Sequence, residues 1–283
     1  MIAANADNLT GAERRVADVL LKSEEVAALY TAGEIAQMAG TSDSTVIRLA
    51  RTLGLSGYLE MQRLARRKVI EELHSRTSDR LHAAGATLSN SDLIGRVFAK
   101  DVSNLDISAK NLSRAVFSDL ISQMVSARRV YIVGSRTASS SVSLLAFCLR
   151  LLREDVRALT GQLEEDFDKL LEAGPEDVML GFSMARYASH TLSVMQIAGS
   201  KGVSLFGVTD SMISPVNGIT SKILLLSNDS LSVTPSPTAV VALIHAIVAA
   251  VGVELSEDGG AVEARLGELE EMYDLTDMYW REK

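Results

Sequence analysis

Three short stretches hold most of the residues able to do chemistry. Ser135-Arg136-Thr137, Ser183-Met184-Ala185-Arg186-Tyr187-Ala188-Ser189 and Thr209-Asp210 each set hydroxyls beside a charged group. Hydroxyls and backbone amides can hold phosphate and sugar oxygens, and an arginine adds a fork-shaped, charge-assisted contact to an anion. A fourth hydroxyl-rich segment runs from Ser232 to Thr238. A different chemistry lies earlier in the chain. Residues 44–70 carry six Lys/Arg (Arg48, Arg51, Arg63, Arg66, Arg67, Lys68) and one acid, Glu60, on a chain of net charge −8. A local basic excess on an acidic protein suits a polyanion partner at one end only.

Proton-transfer catalysis would ask for a Glu or His beside such a pocket. The candidates are Glu164, Glu165, His190 and His245. Two acids at a helix start are favoured by the helix dipole whatever the chemistry. His190 reads as exposed early on its helix, and His245, among apolar residues, reads as a packed core histidine. No catalytic residue, metal-ligand set or cofactor is expected. Cys148, the single cysteine, lies in an apolar helical stretch and reads as buried and inert.

At 283 residues with 47% apolar content, one large or two modest domains can each bury a core. No apolar run reaches the ~18 residues of a membrane span. The longest, Ala239 to Val253, is broken by His245 and reads as a core helix. With no disulfide possible within the chain, a cytoplasmic protein without a membrane partner is expected.

The first eighty residues read as helices. Thr10-Gly-Ala-Glu13 and Thr31-Ala-Gly-Glu34 are capping boxes. A helix carrying Ile35, Ala36 and Met38 stops at Gly40, and Ser42 or Asp43 caps the next, from about Asp43 to Leu53, with Gly54 after it. A small Ala36 lets the two helices cross closely, Gly40 supplies a turn with positive φ, and Val46 packs inward. That is a helix-turn-helix, whose second helix enters the major groove of DNA. Ser44, Thr45, Arg48 and Arg51 are expected on its exposed side, able to meet phosphates or base edges. Ser42 at the cap and Tyr58 on the following basic helix complete the candidate DNA-contact set. The stretch from Ala36 to Tyr58, with its S-x-x-T-V-x-R run, L-G pair and G-Y pair, resembles the N-terminal domain of the RpiR/MurR family of bacterial regulators.

After a polar segment from Leu73 to Asp92 and helical pattern from Leu93 to Ser126, the chain alternates. Apolar strands at Val130–Val133, Asp155–Leu159, Asp177–Phe182, Val203–Val208 and Lys222–Leu226 are separated by helical segments at Val142–Leu152, Glu164–Glu172 and Tyr187–Lys201, and followed by Pro237–Val253. This is the pattern of a doubly wound α/β domain on a parallel sheet, with ligands beyond the carboxyl ends of its strands. The first strand runs through Gly134 into a helix, an arrangement that aims amides and the helix dipole at an anion, though no G-x-G-x-x-G or P-loop is present. This half resembles the SIS sugar-phosphate-binding domain, the usual partner of the RpiR helix-turn-helix. The resemblance implies Ser135, Arg136, Thr137, Ser183, Arg186 and Ser189 as ligand contacts, while Ala138 and Ala188 stand where the family has serines.

The expected organisation is an all-α DNA-binding domain (1–80), a linker (81–109), an α/β SIS domain (110–253) and a helical tail (254–283). The expected function is a transcriptional regulator that binds a double-stranded DNA operator under control of a sugar phosphate or related effector. A homodimer or dimer of dimers is expected, since one helix-turn-helix reads too few base pairs. The alternatives are a sugar-phosphate isomerase with an accessory helical domain, and a regulator whose SIS domain only dimerises.

Overall fold

The computed structural model divides into two units, Met1–Arg76 and Thr77–Lys283. It describes residues 9–22, 24–69, 90–256 and 260–275, together with Ile2 and Asn5.

The first unit is helical: α1 (Gly11–Lys22), α2 (Glu24–Leu29), α3 (Ala32–Met38), α4 (Asp43–Thr52) and α5 (58–69). Both capping boxes form. Thr10 N–H donates to Glu13 Oε2 at 2.9 Å and Thr31 N–H to Glu34 Oε2 at 2.7 Å, each glutamate N–H returning to the threonine Oγ1. Gly40 and Gly54 take φ of 58° and 85°, so the α3–α4 turn and the end of α4 use the left-handed backbone that glycine adopts without strain. Val16, Leu20, Ile35, Ala36, Val46 and Leu49 close the core.

Glu13 is buried and also accepts from Arg48 Nε at 3.2 Å and Thr52 Oγ1 at 3.3 Å. Its carboxyl titrates below the ordinary 4.5, first because of the bonds from Thr10, then those from Arg48 and Thr52. A folded-state value below the unfolded one means that this stabilisation is complete above about pH 4.5 and lost as pH falls through the lowered value. Melting of the wild-type chain is therefore expected to turn downward below pH 4.5, more steeply than that of Glu13→Gln, when both are followed by circular dichroism across pH 3–7.

In the second unit α6 (Asn90–Asn111) and α7 (Arg114–Ser126) precede a five-stranded parallel sheet. Its elements are β1 (Val130–Val133), α8 (Ser139–Leu152), β2 (Val156–Leu159), α9 (Leu163–Lys169), β3 (Val178–Phe182), α10 (Ser189–Ser200), β4 (Ser204–Thr209), β5 (Ile223–Leu225), α11 (Thr238–Ser256) and α12 (Ala261–Leu275). Strand order is β2-β1-β3-β4-β5, which puts the switch point between β1 and β3. Side chains alternate across the sheet. Val130 and Ile132 face a layer of α7, α8 and α11, whereas Tyr131 and Val133 face α9 and α10.

Two expectations change. Residues 90–109, assigned to a linker, lie in α6, whose Asn104 and Ser108 are buried against the segment after β5. Residues 81–89 of that linker, and Trp280 in the tail, lie outside the described residues. His245 is exposed rather than packed, because α11 is apolar on every side and only one face (Ala239, Val240, Leu243, Ile244, Ile247, Val251) enters the core. By length and composition α11 could cross a membrane, yet that face is built into the sheet domain. The tail helix α12 packs on this domain, with Arg265 donating to the Arg150 carbonyl at 2.8 and 3.0 Å.

Candidate functional site

In the first unit the candidate contacts divide. Ser42, Ser44, Arg48 and Arg51 are exposed. Ser42 starts α4 with an extended backbone, but its hydroxyl bonds Ser44 Oγ at 2.8 Å and Thr45 Oγ1 at 3.1 Å instead of capping an amide. Arg48 is 57% exposed at its side chain while Glu13 fixes its Nε. Thr45 and Tyr58 correct the expectation. Thr45 is 5% exposed, one position before Val46 and four before Leu49, and so belongs to the buried face of α4. Tyr58 is 7% exposed, and its hydroxyl donates to the carbonyls of Tyr30 and Ala27, locking α5 onto α2. Burial raises that phenol to about 12. Tyr58→Phe is expected to cost about 1 kcal/mol of stability and to leave DNA affinity at 25 °C unchanged, read by melting and by a binding titration.

In the second unit, β1, β2 and β3 end around a cleft of about 550 Å³ lined by Ser135, Arg136, Thr160, Gly161, Arg186, Tyr187, Ala188, Ser189 and His190. Of the expected ligand residues, Ser135, Arg136, Arg186 and Ser189 therefore come together. Thr137 and Ser183 do not. Thr137 lines a smaller neighbouring cavity with Ser141, Met184 and Asn228. Ser183 is 2% exposed beneath the loop, where its carbonyl accepts from Thr209 Oγ1 at 2.7 Å.

Arg136 takes φ 60°, a left-handed backbone that costs a non-glycine residue about 1–2 kcal/mol. Such strain persists only where its surroundings impose it. Gly134 gives the loop its close approach, since a Cβ there would lie 3.0 Å from Val142 Cγ2, 3.1 Å from Ala138 Cβ and 3.2 Å from Phe182 Cβ. Gly134→Ala is expected to destabilise by about 1–3 kcal/mol through forced displacement of these neighbours, and the melting temperature reports it.

Two adjacent residues at the start of α10 hold the other walls. Thr191 Oγ1 accepts from Ser135 N–H and donates to Ser135 Oγ, both at 3.2 Å. His190 Nε2 lies 2.9 Å from Asp166 Oδ2, which also accepts from Gly161 N–H at 2.8 Å. His190 is thus neither exposed nor solitary: its side chain is 12% exposed, and the ring stands edge-on to Phe167. Sequence reasoning missed Thr160-Gly161, although a hydroxyl and a glycine at the end of β2 repeat the signature that marked Ser135. It also missed Asp166, which lies 24 residues from its partner. Asp210 orders the loop around Arg186. It accepts from Ala185 N–H at 3.1 and 3.2 Å and from Tyr187 OH at 3.1 Å, and burial, then the Asp210 charge, pushes the Tyr187 phenol well above its usual range. Among the described residues no group of three or more His, Cys, Asp or Glu is placed to hold a metal ion.

Comparison with known proteins agrees with this two-part design. Residues 1–74 match the helix-turn-helix domain of the rpiR family, and residues 123–250 match the SIS domain. The chain is 26% identical over 210 residues to the HTH-type transcriptional regulator HexR of Pseudomonas aeruginosa, covering 74% of this chain and 71% of that protein. It is 23% identical over 256 residues to an uncharacterized HTH-type transcriptional regulator of Haemophilus influenzae, covering 85% and 86%. Among solved structures, the sugar isomerase domain of an RpiR transcription factor from Sphaerobacter thermophilus covers 63% of this chain and 98% of its own, at 24% identity and a TM-score of 0.59. The Vibrio vulnificus NanR protein complexed with ManNAc-6P covers 97% of both chains at 16% identity and a TM-score of 0.62. With an rpiR helix-turn-helix at its start and a SIS domain built on a five-stranded parallel sheet, the chain belongs to the RpiR family of transcriptional regulators.

Proposed function

We propose that this regulator binds a duplex DNA operator through Ser42, Ser44, Arg48 and Arg51, and that a phosphorylated sugar or related anion in the cleft of the second unit shifts its operator affinity. The observation that carries the reading is the cleft itself, where Ser135, Arg136, Arg186 and Ser189 meet at the switch point of a parallel sheet. A fold neighbour bound to ManNAc-6P makes that class the first to try. The effector regulates only if it binds the DNA-competent and incompetent arrangements unequally, and a tenfold change in operator affinity needs about 1.4 kcal/mol of such coupling. The working unit is a homodimer or dimer of dimers in the cytoplasm, in keeping with a two-fold operator and with the exposed apolar face of α11 at Ala242, Ala246, Ala249 and Val253.

The test is binding of the purified protein to the region upstream of its own gene, at fixed salt, with and without a panel of sugar phosphates. A ligand that shifts the affinity supports the reading. Specific binding that no anion alters or stabilises favours a SIS domain kept for dimerisation. The Asp166–His190 pair beside the cleft gives the isomerase reading its one specific support. Turnover of a phosphorylated sugar that Asp166→Asn abolishes would move the assignment there.

A further inference from the structure

The segment 227–229, just past β5, is held from two sides. On one side is α6. Asn104 Nδ2 donates to the Asp229 carbonyl at 2.7 Å, and Asn104 Oδ1 accepts from Ser227 Oγ at 2.9 Å and from Asp229 N–H at 3.1 Å. Ser108 Oγ accepts from Ser227 N–H at 2.8 Å. Lys100 pairs with Asp229 at 2.7 Å. Asn104 and Ser108 are 1% and 4% exposed, so breaking these bonds would leave buried polar groups unpaired.

On the other side is the loop that carries Arg186. Asn228 Nδ2 donates to Asp210 Oδ2 at 3.1 Å, and Asp210 accepts from Ala185 N–H and Tyr187 OH, the two neighbours of Arg186. The loop that carries Arg186 is thereby joined to α6 by side-chain hydrogen bonds at Asp210, Asn228, Asn104 and Ser108, with only two peptide links, Ser227 to Asn228 and Asn228 to Asp229, between them. A fully satisfied buried polar network rigidifies the segments it joins.

We infer that Asp210 and Asn228 are positioning residues that couple the Ala185–Tyr187 loop to α6, so that a shift of the loop is felt along α6. The chain enters α6 from the helix-turn-helix side in sequence, which makes α6 the first described element of the second unit able to pass such a shift on. The use of this coupling in regulation rests on the sensor reading above. The coupling itself rests on the hydrogen bonds and requires no effector to test.

The test is hydrogen–deuterium exchange of the full chain without ligand, in wild type, Tyr187→Phe, Asn228→Ala and the double variant. Tyr187→Phe removes one bond to Asp210 at the cleft and touches nothing on α6. It is expected to speed exchange over 100–108 and 227–229 by about two- to tenfold, the size of one net hydrogen bond. In the Asn228→Ala background the same change is expected to add nothing over 100–108. Three results would overturn the inference. Exchange over 100–108 could stay unchanged in Tyr187→Phe, the increment could be equal with and without Asn228, or the increase could spread over α8 and α11 as general loosening. Because no effector enters, a sugar-phosphate panel that fails to alter operator binding leaves this result standing, and the reverse also holds.

Discussion

Arg136→Gly is expected to make the protein more stable and its ligand response weaker. The two effects have separate causes. Arg136 sits at φ 60°, where glycine carries no Cβ penalty, so relief of about 1–2 kcal/mol is partly offset by the greater freedom of glycine when unfolded. A net gain of about 0.5–1 kcal/mol is expected, or a melting temperature higher by a few degrees. On the proposed reading, loss of the guanidinium removes a charge-assisted contact worth about 1.5–3 kcal/mol, a tenfold to hundredfold loss of affinity for the proposed anionic effector. Arg136→Ala separates the causes, because it loses the charge and keeps the strain. Its ligand affinity should fall equally, without any gain in melting temperature. Wild-type affinity in both variants would remove Arg136 from the site, and a lower melting temperature in the glycine variant would contradict the stored strain.

Arg48→Ala is expected to weaken operator binding by about 1–3 kcal/mol per half-site, or about five- to 150-fold. The fold should survive, since Glu13 keeps its bonds from Thr10 and Thr52. The salt dependence tells which contact is lost. A phosphate contact lowers the slope of log affinity against log salt by about one per arginine and weakens all sequences alike, whereas a base contact relaxes preference at one position. Arg48→Lys keeps the charge but not the fork, so it should restore the slope without the preference. Unchanged operator affinity in Arg48→Ala would take Arg48 out of the interface.

The sequence was most informative where structure is set locally. Gly40, Gly54 and the two Thr-x-x-Glu boxes act within four residues of themselves, and each does in the fold what its spacing implies. The alternation of strands and helices likewise follows from short-range pattern. The departures are non-local or concern which way a helix faces. Thr45 has a polar name but a buried position, set by Val46 and Leu49 beside it. Tyr58 finds its acceptors 28 and 31 residues away. Asp166 and His190 meet only because α9 and α10 flank the same side of the sheet. His245 stands on a helix apolar all round, where periodicity carries no information about direction. Ser183 and Thr137 share a strand end with true cleft residues, yet Ser183 lies beneath its loop and Thr137 opens onto the neighbouring cavity.

The clamp at the start of α10 bears on speed as well as shape. His190, through Asp166, holds Gly161, and Thr191 holds Ser135, so three walls of the cleft are set before anything enters. The proposed anionic effector would then give up little of its binding free energy to ordering the chain, which would otherwise cost about 1–2 kcal/mol for each residue fixed. On that reading its arrival would be governed by diffusion and by the field of the arginines, and should quicken as salt is lowered. The heat capacity lost on binding should match the small apolar surface of the ligand rather than the larger signature of a folding loop.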